Sequence, residues 1–380
     1  MSDGMSVAIA EKTRRLVMLT VTESCNLNCL YCYEHAKTNT FMDLQVAKDL
    51  IEYEFTHSGN FDEIEFDLFG GEPTLRKDFI IDLVEWTITR DFGKPFLFFL
   101  QTNGTLVHGS FQDWLIRNKK YVYVGLSLDG TPESHNHNRS GSYDQIDIDF
   151  FLTNYREQGV RMTVNIDTVG NLSNDIIHLH QLGFARVDAF LACGINWDAD
   201  GITDLFAREL RILSDFYIAN PQIHECSLFD MHLPRILHNH QKQKKWCGTG
   251  THIVSVAVDG TKYPCQTFQP NTNPTPIKLD EIDFDSISDY GDPECVNCAI
   301  ESLCPNCYGI NYLNSGDMLK RDKSICKVTK LRALAVSYLR GMQIGKHSKK
   351  MAPSEMYQNI KAICIIQKMA TDKQTTEAKG

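Results

Sequence analysis

Cys25, Cys29 and Cys32 stand in CxxxCxxC spacing within Cys25-Asn26-Leu27-Asn28-Cys29-Leu30-Tyr31-Cys32-Tyr33. Three thiolates so spaced can hold three irons of a cubane and leave the fourth open for chemistry. The same triplet with His35 also has the donor types of a Cys3His zinc site, and the triplet alone leaves both readings open. A second group follows: Cys247, Cys265 closing Gly260-Thr261-Lys262-Tyr263-Pro264-Cys265, the pairs Cys295/Cys298 and Cys304/Cys307, and Cys326. A zinc ribbon explains four of these thiols and leaves the rest over. With 13 cysteines in all and no secretory signal, metal is a better account than disulfides.

The elements that must carry these residues follow from periodicity. The triplet comes directly after an apolar run from Leu16 to Val21, at the mouth of a first strand. Phe69-Gly70-Gly71-Glu72-Pro73 follows a run in which Ile64, Phe66 and Leu68 alternate, the period of a strand; paired glycines there let backbone approach a ligand closely. Further strand-like runs lie near Phe96–Thr102, Val122–Leu128, Arg161–Thr168 and Val187–Leu191, with amphipathic stretches between. Leu44, Ala47, Ile51 and Phe55 recur at helical spacing, with Asp43 as N-cap and Gly59 closing the segment. Strands alternating with helices predict a parallel α/β sheet. In parallel α/β sheets ligand groups gather at the C-terminal strand ends, where Cys25–Cys32, Gly70–Pro73, Gln101–Gly104 and Ser127–Gly130 all fall.

With 380 residues, 42% of them hydrophobic, the chain can bury a large core, and two domains are expected. The expected divisions are a barrel over 1–220, a linker or bridging region over 221–245, a cysteine-rich domain over 246–330, and a C-terminal helix with a polar tail over 331–380. A net charge of -10 and a pI near 5.7 argue against nucleic acid as a partner. No apolar run approaches the length of a membrane span, so a cytoplasmic protein is expected. His178 and His180 lie on different faces of a helix, and the acidic stretch Asp280–Glu294 is expected to be a solvated loop.

CxxxCxxC followed by an aromatic residue, together with Gly70-Gly71-Glu72-Pro73, resembles the radical S-adenosylmethionine (SAM) enzymes. The resemblance implies a partial (β/α)6 TIM-like barrel and a 4Fe–4S cluster on Cys25, Cys29 and Cys32 whose open iron binds SAM. It implies that the backbone of Gly70, Gly71, Glu72 and Pro73 takes the methionine amino group, and that Tyr31, Tyr33 and Ser127 line the SAM site. Tyr33 would pack on the adenine and Arg139 would pair with the SAM carboxylate. Gln101 and Asn103 fall on the substrate side, and Asp129 braces either the site or the turn at Gly130. The later cysteines resemble a SPASM domain with two auxiliary clusters, the distal on Cys295, Cys298, Cys304 and Cys326, the proximal on Cys247, Cys265 and Cys307. The spacing departs from the family's between Cys304 and Cys307, two residues instead of three. The proximal iron left over is open or capped, with Cys226 the leading candidate among Cys193, Cys226 and Cys364.

Such enzymes mature peptides. The implied activity is oxidation through a 5'-deoxyadenosyl radical that installs a carbon–carbon or thioether crosslink in a ribosomally synthesised precursor peptide (RiPP maturation). The alternative is an anaerobic sulfatase-maturing, formylglycine-generating enzyme. Those enzymes carry an acidic base directly after the GxxxxC cysteine, where this chain has Gln266, and an amide cannot accept a proton as a carboxylate does. A non-catalytic iron–sulfur or zinc scaffold would leave the GGEP turn, Tyr33 and the six β/α units without a purpose. A low-potential donor such as flavodoxin or ferredoxin is implied. Because the barrel begins near Leu16, leader-peptide recognition is expected to fall to a separate protein or another surface.

Overall fold

The computed structural model describes residues 13–238, 245–275, 278–279, 282–286, 292–293, 295–347 and 352–377, the last with side chains to 370. Strand and helix alternate from the start: β1 (Arg14–Thr22), α1 (Leu44–His57), β2 (Glu63–Gly70), α2 (Lys77–Ile88), β3 (Phe96–Thr102), α3 (Ser110–Arg117) and β4 (Val122–Ser127). Then come α4 (Pro132–Asn138), α5 (Ile148–Tyr155), β5 (Val160–Val164), α6 (Leu172–Leu182), β6 (Val187–Leu191) and α7 (Ile202–Ala219). The remainder holds β7 (Ile253–Val256), β8 (Lys262–Tyr263), α8 (Tyr308–Ser315), α9 (Cys326–His347) and α10 (Pro353–Glu377).

All eight strands join one sheet in the order β6-β5-β4-β3-β2-β1-β7-β8. Every pairing is parallel except the short β7/β8 hairpin. Strand side chains alternate between two faces, and Val17, Leu19, Val21, Ile64, Phe66, Leu68, Phe98 and Leu100 are all fully buried on the helix-covered face. Each such burial is worth roughly 1.5–3 kcal/mol. The other face carries the polar positions Thr20, Glu65, Asp67, Gln101, Ser127 and Arg161, with Phe99 and Phe190 among them, alternating with the core positions. Arg161 on β5 is close enough to Asp67 on β2 to act on its charge, although three strand spacings separate them in the sheet order, so the sheet curls and this polar face is a lumen.

The first helix forms as its spacing predicts. Asp43 accepts from the Gln45 and Val46 N–H groups at 2.8 and 3.4 Å, while Ala47 and Ile51 are fully buried; Ser58, rather than Gly59, closes it.

Two differences from the sequence-based divisions matter. β7, inside the expected second domain, pairs with β1 of the first (Leu16↔Ile253 to Leu19↔Val256), and Gln269 bridges Thr20 and Ser255 across that seam. The C-terminal region is two helices, with α10 continuing to Glu377 where a polar tail is expected. α9 packs along α7, with Arg211 stacked 4.0 Å from the Tyr338 ring. Arg340 grips Glu225 with two contacts of 2.6 Å. Residues 280, 281, 287–291 and 294 of the acidic stretch lie outside the described residues; within it, Asp283 accepts from the Asp285 N–H at 3.0 Å and organises a turn.

Candidate active site

The loop after β1 is sewn to its neighbours. Asn26 donates to Thr105 Oγ1 at 2.8 Å and accepts from Asn103 Nδ2 at 2.9 Å. The Asn28 N–H donates to Ser140 Oγ and the Leu30 N–H to Asn138 O, both at 3.0 Å. The loop bearing Cys25, Cys29 and Cys32 is thus fixed to the turns that follow β3 and α4. Burial pushes the Cys25 thiol up to about 11 and that of Cys29 upward too, so both stay protonated until a metal displaces the proton. Lys37, which the sequence reading passed over, is close enough to Cys32 and Cys25 to act on their charge. His35 is exposed. Three soft donors on a fixed loop, with a cation beside them, fit an iron–sulfur cluster better than a Cys3His zinc site.

Gly70 and Gly71 are required by chain packing. A Cβ at Gly70, whose φ is +137°, would lie 2.0 Å from Thr22 O, and one at Gly71 would lie 2.4 Å from Ser24 O. The N–H groups of Gly71 and Glu72 donate to those carbonyls at 3.0 and 2.8 Å. With its donors committed to the end of β1, the turn has acceptor oxygen to offer, which is what an amino group needs. The buried Glu72 carboxylate accepts from Thr102 Oγ1 and the Asn103 N–H, both at 2.7 Å, and from Thr74. Pro73 opens the next turn and is buried. Glu72 thereby ties β2 to β3 under the site.

Tyr31, Asp129 and Arg139 form one buried network. The Tyr31 hydroxyl donates to Asp129 Oδ2 at 2.5 Å, and Arg139 Nε lies 3.0 Å from the same oxygen. The Arg139 guanidinium also sits 5.4 Å from the Tyr31 ring centroid. Asp129 Oδ1 accepts from the Thr163 N–H at 3.0 Å, so this carboxylate braces β4 against β5 as well. Ser127 Oγ accepts from Gln101 Nε2 at 2.8 Å.

Tyr33 lies toward the second group of cysteines: Gln266, Glu34 and Cys193 are all close enough to act on its hydroxyl. Glu34 is buried, which pushes its carboxyl up to about 6, and it accepts from Asn271 at 3.3 Å. Thr267 Oγ1 lies 3.1 Å from Cys265 Sγ and 4.0 Å from Cys307 Sγ, between the two. Trp246 N donates to Tyr308 OH at 3.2 Å, which brings Cys247 toward the same corner. Cys193 acts on Cys307 as well as on Tyr33. Its loop is held there: Ser324 Oγ donates to Ile195 O at 3.2 Å, Asp322 N donates to Asn311 Oδ1 at 3.2 Å, and Asn311 N donates to Cys307 O at 2.9 Å. Cys226 is elsewhere. It is fully buried in the main core, with its N–H donating to Tyr217 OH at 2.9 Å, whereas Cys265 packs against the separate cluster of Phe268, Tyr308 and Met318. Cys364 is exposed on α10.

Cys295, Cys298, Cys304 and Cys326 line one cavity of about 660 Å3 together with Arg321, Lys323, Lys330 and Lys368. Lys323 Nζ is 3.4 Å from Cys295 Sγ, and burial pushes the Cys304 thiol up to about 11. Four thiols among four cations suit an anionic thiolate-ligated cluster. A further cavity, lined by Thr131, Glu133, Asp167 and Asn171 among others, has no thiol in its lining.

With this geometry in place, comparison with known proteins is informative. Residues 19–182 match the model of the radical SAM superfamily. The chain is 34% identical over 114 residues to an uncharacterized protein of Methanocaldococcus jannaschii, a match spanning 38% of that protein. It is 24% identical to a cysteine-type anaerobic sulfatase-maturating enzyme of Clostridium perfringens, covering 67% of this chain and 74% of that one. Among solved structures, native anSMEcpe with bound AdoMet and Cp18Cys peptide superimposes with a TM-score of 0.66 at 21% identity, over 86% of this chain and 98% of the other. SuiB of Streptococcus suis bound to precursor peptide SuiA gives 0.51 at 16% identity, over 82% and 76%. The fold is that of these enzymes. Among the described residues, no helix is long and apolar enough to cross a membrane.

Proposed function

Residues 19–182 are a radical SAM domain, which takes a 4Fe–4S cluster and SAM, and from that premise we propose that the chain is a cytoplasmic oxidoreductase crosslinking a ribosomally made precursor peptide through a carbon–carbon or thioether bond. When bound, cluster and SAM supply a radical that takes hydrogen from an unactivated C–H bond. Cys25, Cys29 and Cys32 hold the first cluster. The carbonyls of the Gly70–Pro73 turn and the Ser127 hydroxyl orient the methionine end of SAM, Tyr33 and Tyr31 flank it, and Arg139 adds positive charge beside its carboxylate. Cys295, Cys298, Cys304 and Cys326 hold the distal auxiliary cluster in the basic cavity. Cys247, Cys265 and Cys307 hold the proximal one, and Cys193 completes it in preference to Cys226, a reading supported by its electrostatic reach to Cys307. A flavodoxin or ferredoxin supplies electrons.

The observation that favours crosslinking is the neutral Gln266 directly after Cys265, close enough to Tyr33 to act on its hydroxyl. Gln266 directly follows Cys265, the position at which a formylglycine enzyme carries a carboxylate base, and its side chain is a neutral amide. The likeness to the sulfatase-maturating enzyme of C. perfringens supports the second reading. Anaerobic turnover separates them. A cognate precursor loses two mass units per crosslink, fragment ions vanish between the joined residues, and a hydrazide probe captures nothing. Hydrazide labelling of a Cys- or Ser-containing sulfatase peptide would overturn the crosslinking assignment.

A further inference from the structure

Arg161 stands on the lumen face of β5, between Val160 and Met162, which are buried on the opposite face. Its guanidinium carbon lies 5.6 Å from the ring centroid of Phe99 on β3 and 5.8 Å from that of Phe190 on β6. Both rings belong to the same face, and Phe190 is 50% exposed, so the lumen is open at this side. Aromatic faces fix a guanidinium by its π surface and leave its N–H fork unspent. Among the described residues the Arg161 side chain makes these ring contacts and no hydrogen bond.

Unmet acceptors accompany this unspent donor fork. Asp67, level with Phe99 in the β2/β3 register, is 94% buried with Oδ1 unpartnered, and Gln101 Oε1 above it on β3 is likewise unpartnered. Unsatisfied buried polar atoms are costly, and here they share the lumen with a rigid fork shaped for bidentate contact with a carboxylate. We infer that the lumen is a subsite for a substrate carboxylate, gripped by Arg161 between Phe99 and Phe190, with Asp67 and Gln101 accepting from an adjacent amide N–H. An acidic peptide residue, or a peptide's terminal carboxylate, carries both groups in that relation. This rests on the reading of the lumen as the peptide's cavity and specifies which kind of residue enters it.

The test uses the anaerobically reconstituted holoenzyme with SAM and three probes in equilibrium dialysis. They are N-acetyl-glutamate N-methylamide, N-acetyl-alanine as a terminal carboxylate, and N-acetyl-glutamine N-methylamide as the neutral control. At least one carboxylate probe binds about tenfold more tightly than the amide, and which of the two does so assigns the source. R161Q abolishes the preference, R161K retains part of it, and SAM affinity is unchanged in both. Equal binding of acid and amide to the wild type overturns the inference without recourse to any variant. So does an undiminished preference in R161Q, or a parallel loss of SAM affinity, which would move Arg161 into the cofactor site. A carboxylate preference without SAM cleavage would sink the proposed function and leave the subsite standing; cleavage without the preference would do the reverse.

Discussion

Arg139 and Asp129 form an ion pair, Nε to Oδ2 at 3.0 Å, in which Asp129 is fully buried and Arg139 nearly so. The pair places a positive group beside the cysteine loop while leaving no lone charge in the interior. Breaking a buried pair strands its partner, at about 3–5 kcal/mol. R139A should therefore lower stability by about that amount in anaerobic denaturant titrations, and the R139A/D129N double variant should recover part of the loss. An R139A variant as stable as the wild type would show that the pair contributes nothing.

Replacing Cys25, Cys29 and Cys32 together by alanine should abolish 5'-deoxyadenosine formation and spare the later cysteines. Iron should fall from about twelve atoms per chain to about eight, one cubane of three. Deoxyadenosine production by the triple variant would refute the assignment of the first cluster, and iron-free, zinc-loaded wild-type protein would restore the zinc reading.

C193S should alter the electron paramagnetic resonance signal of the proximal cluster, since Cys193 is within electrostatic reach of Cys307. C226A, which touches only the core, should leave the spectrum as it is. The opposite pattern would reinstate Cys226 as the capping ligand.

Burial pushes the Asp67 carboxyl up to about 7 from 3.8, with Arg161 pulling the other way. An acid whose folded pKa is raised costs nothing below its unfolded pKa, and the native state loses stability as pH rises from about 4 toward 7. The stability advantage of D67N over wild type should grow by about 2 kcal/mol between pH 5.5 and 8. A constant difference across that range, in paired denaturation curves, would mean that Asp67 ionises normally.

Much of this site was legible because its signals are local. β3 and β6 begin and end at the residues their apolar runs predict, Asp43 caps α1 as its side chain allows, and the cysteine spacings declare their groups. What was not legible depends on proximity made by the fold. The carboxylate that takes Arg139 lies ten residues upstream, on the far side of a turn and a helix. Cys193 carries no spacing signal, and reaches Cys307 only because the loop after β6 is hydrogen-bonded to Ser324. β7 is four residues long, too short for its pattern to reveal that it joins the barrel sheet. Arg161 did leave a trace: a lone arginine in Val160-Arg161-Met162-Thr163-Val164, at the position that period two assigns to the lumen.

The pairing of β1 with β7 bears on how the chain is made. β1 emerges first, yet its partner on that side follows more than two hundred residues later. At ordinary elongation rates of 5–20 residues per second the gap is on the order of 10–50 s. Throughout that interval one edge of a strand with the apolar run Leu16–Leu19 has its backbone groups unmatched, the arrangement that invites pairing between nascent chains. Truncation before Ile253 would make that exposure permanent. The earlier strand of this pair thus waits for the later one, and the yield of active protein will depend on whatever keeps neighbouring ribosomes' products apart until β7 arrives.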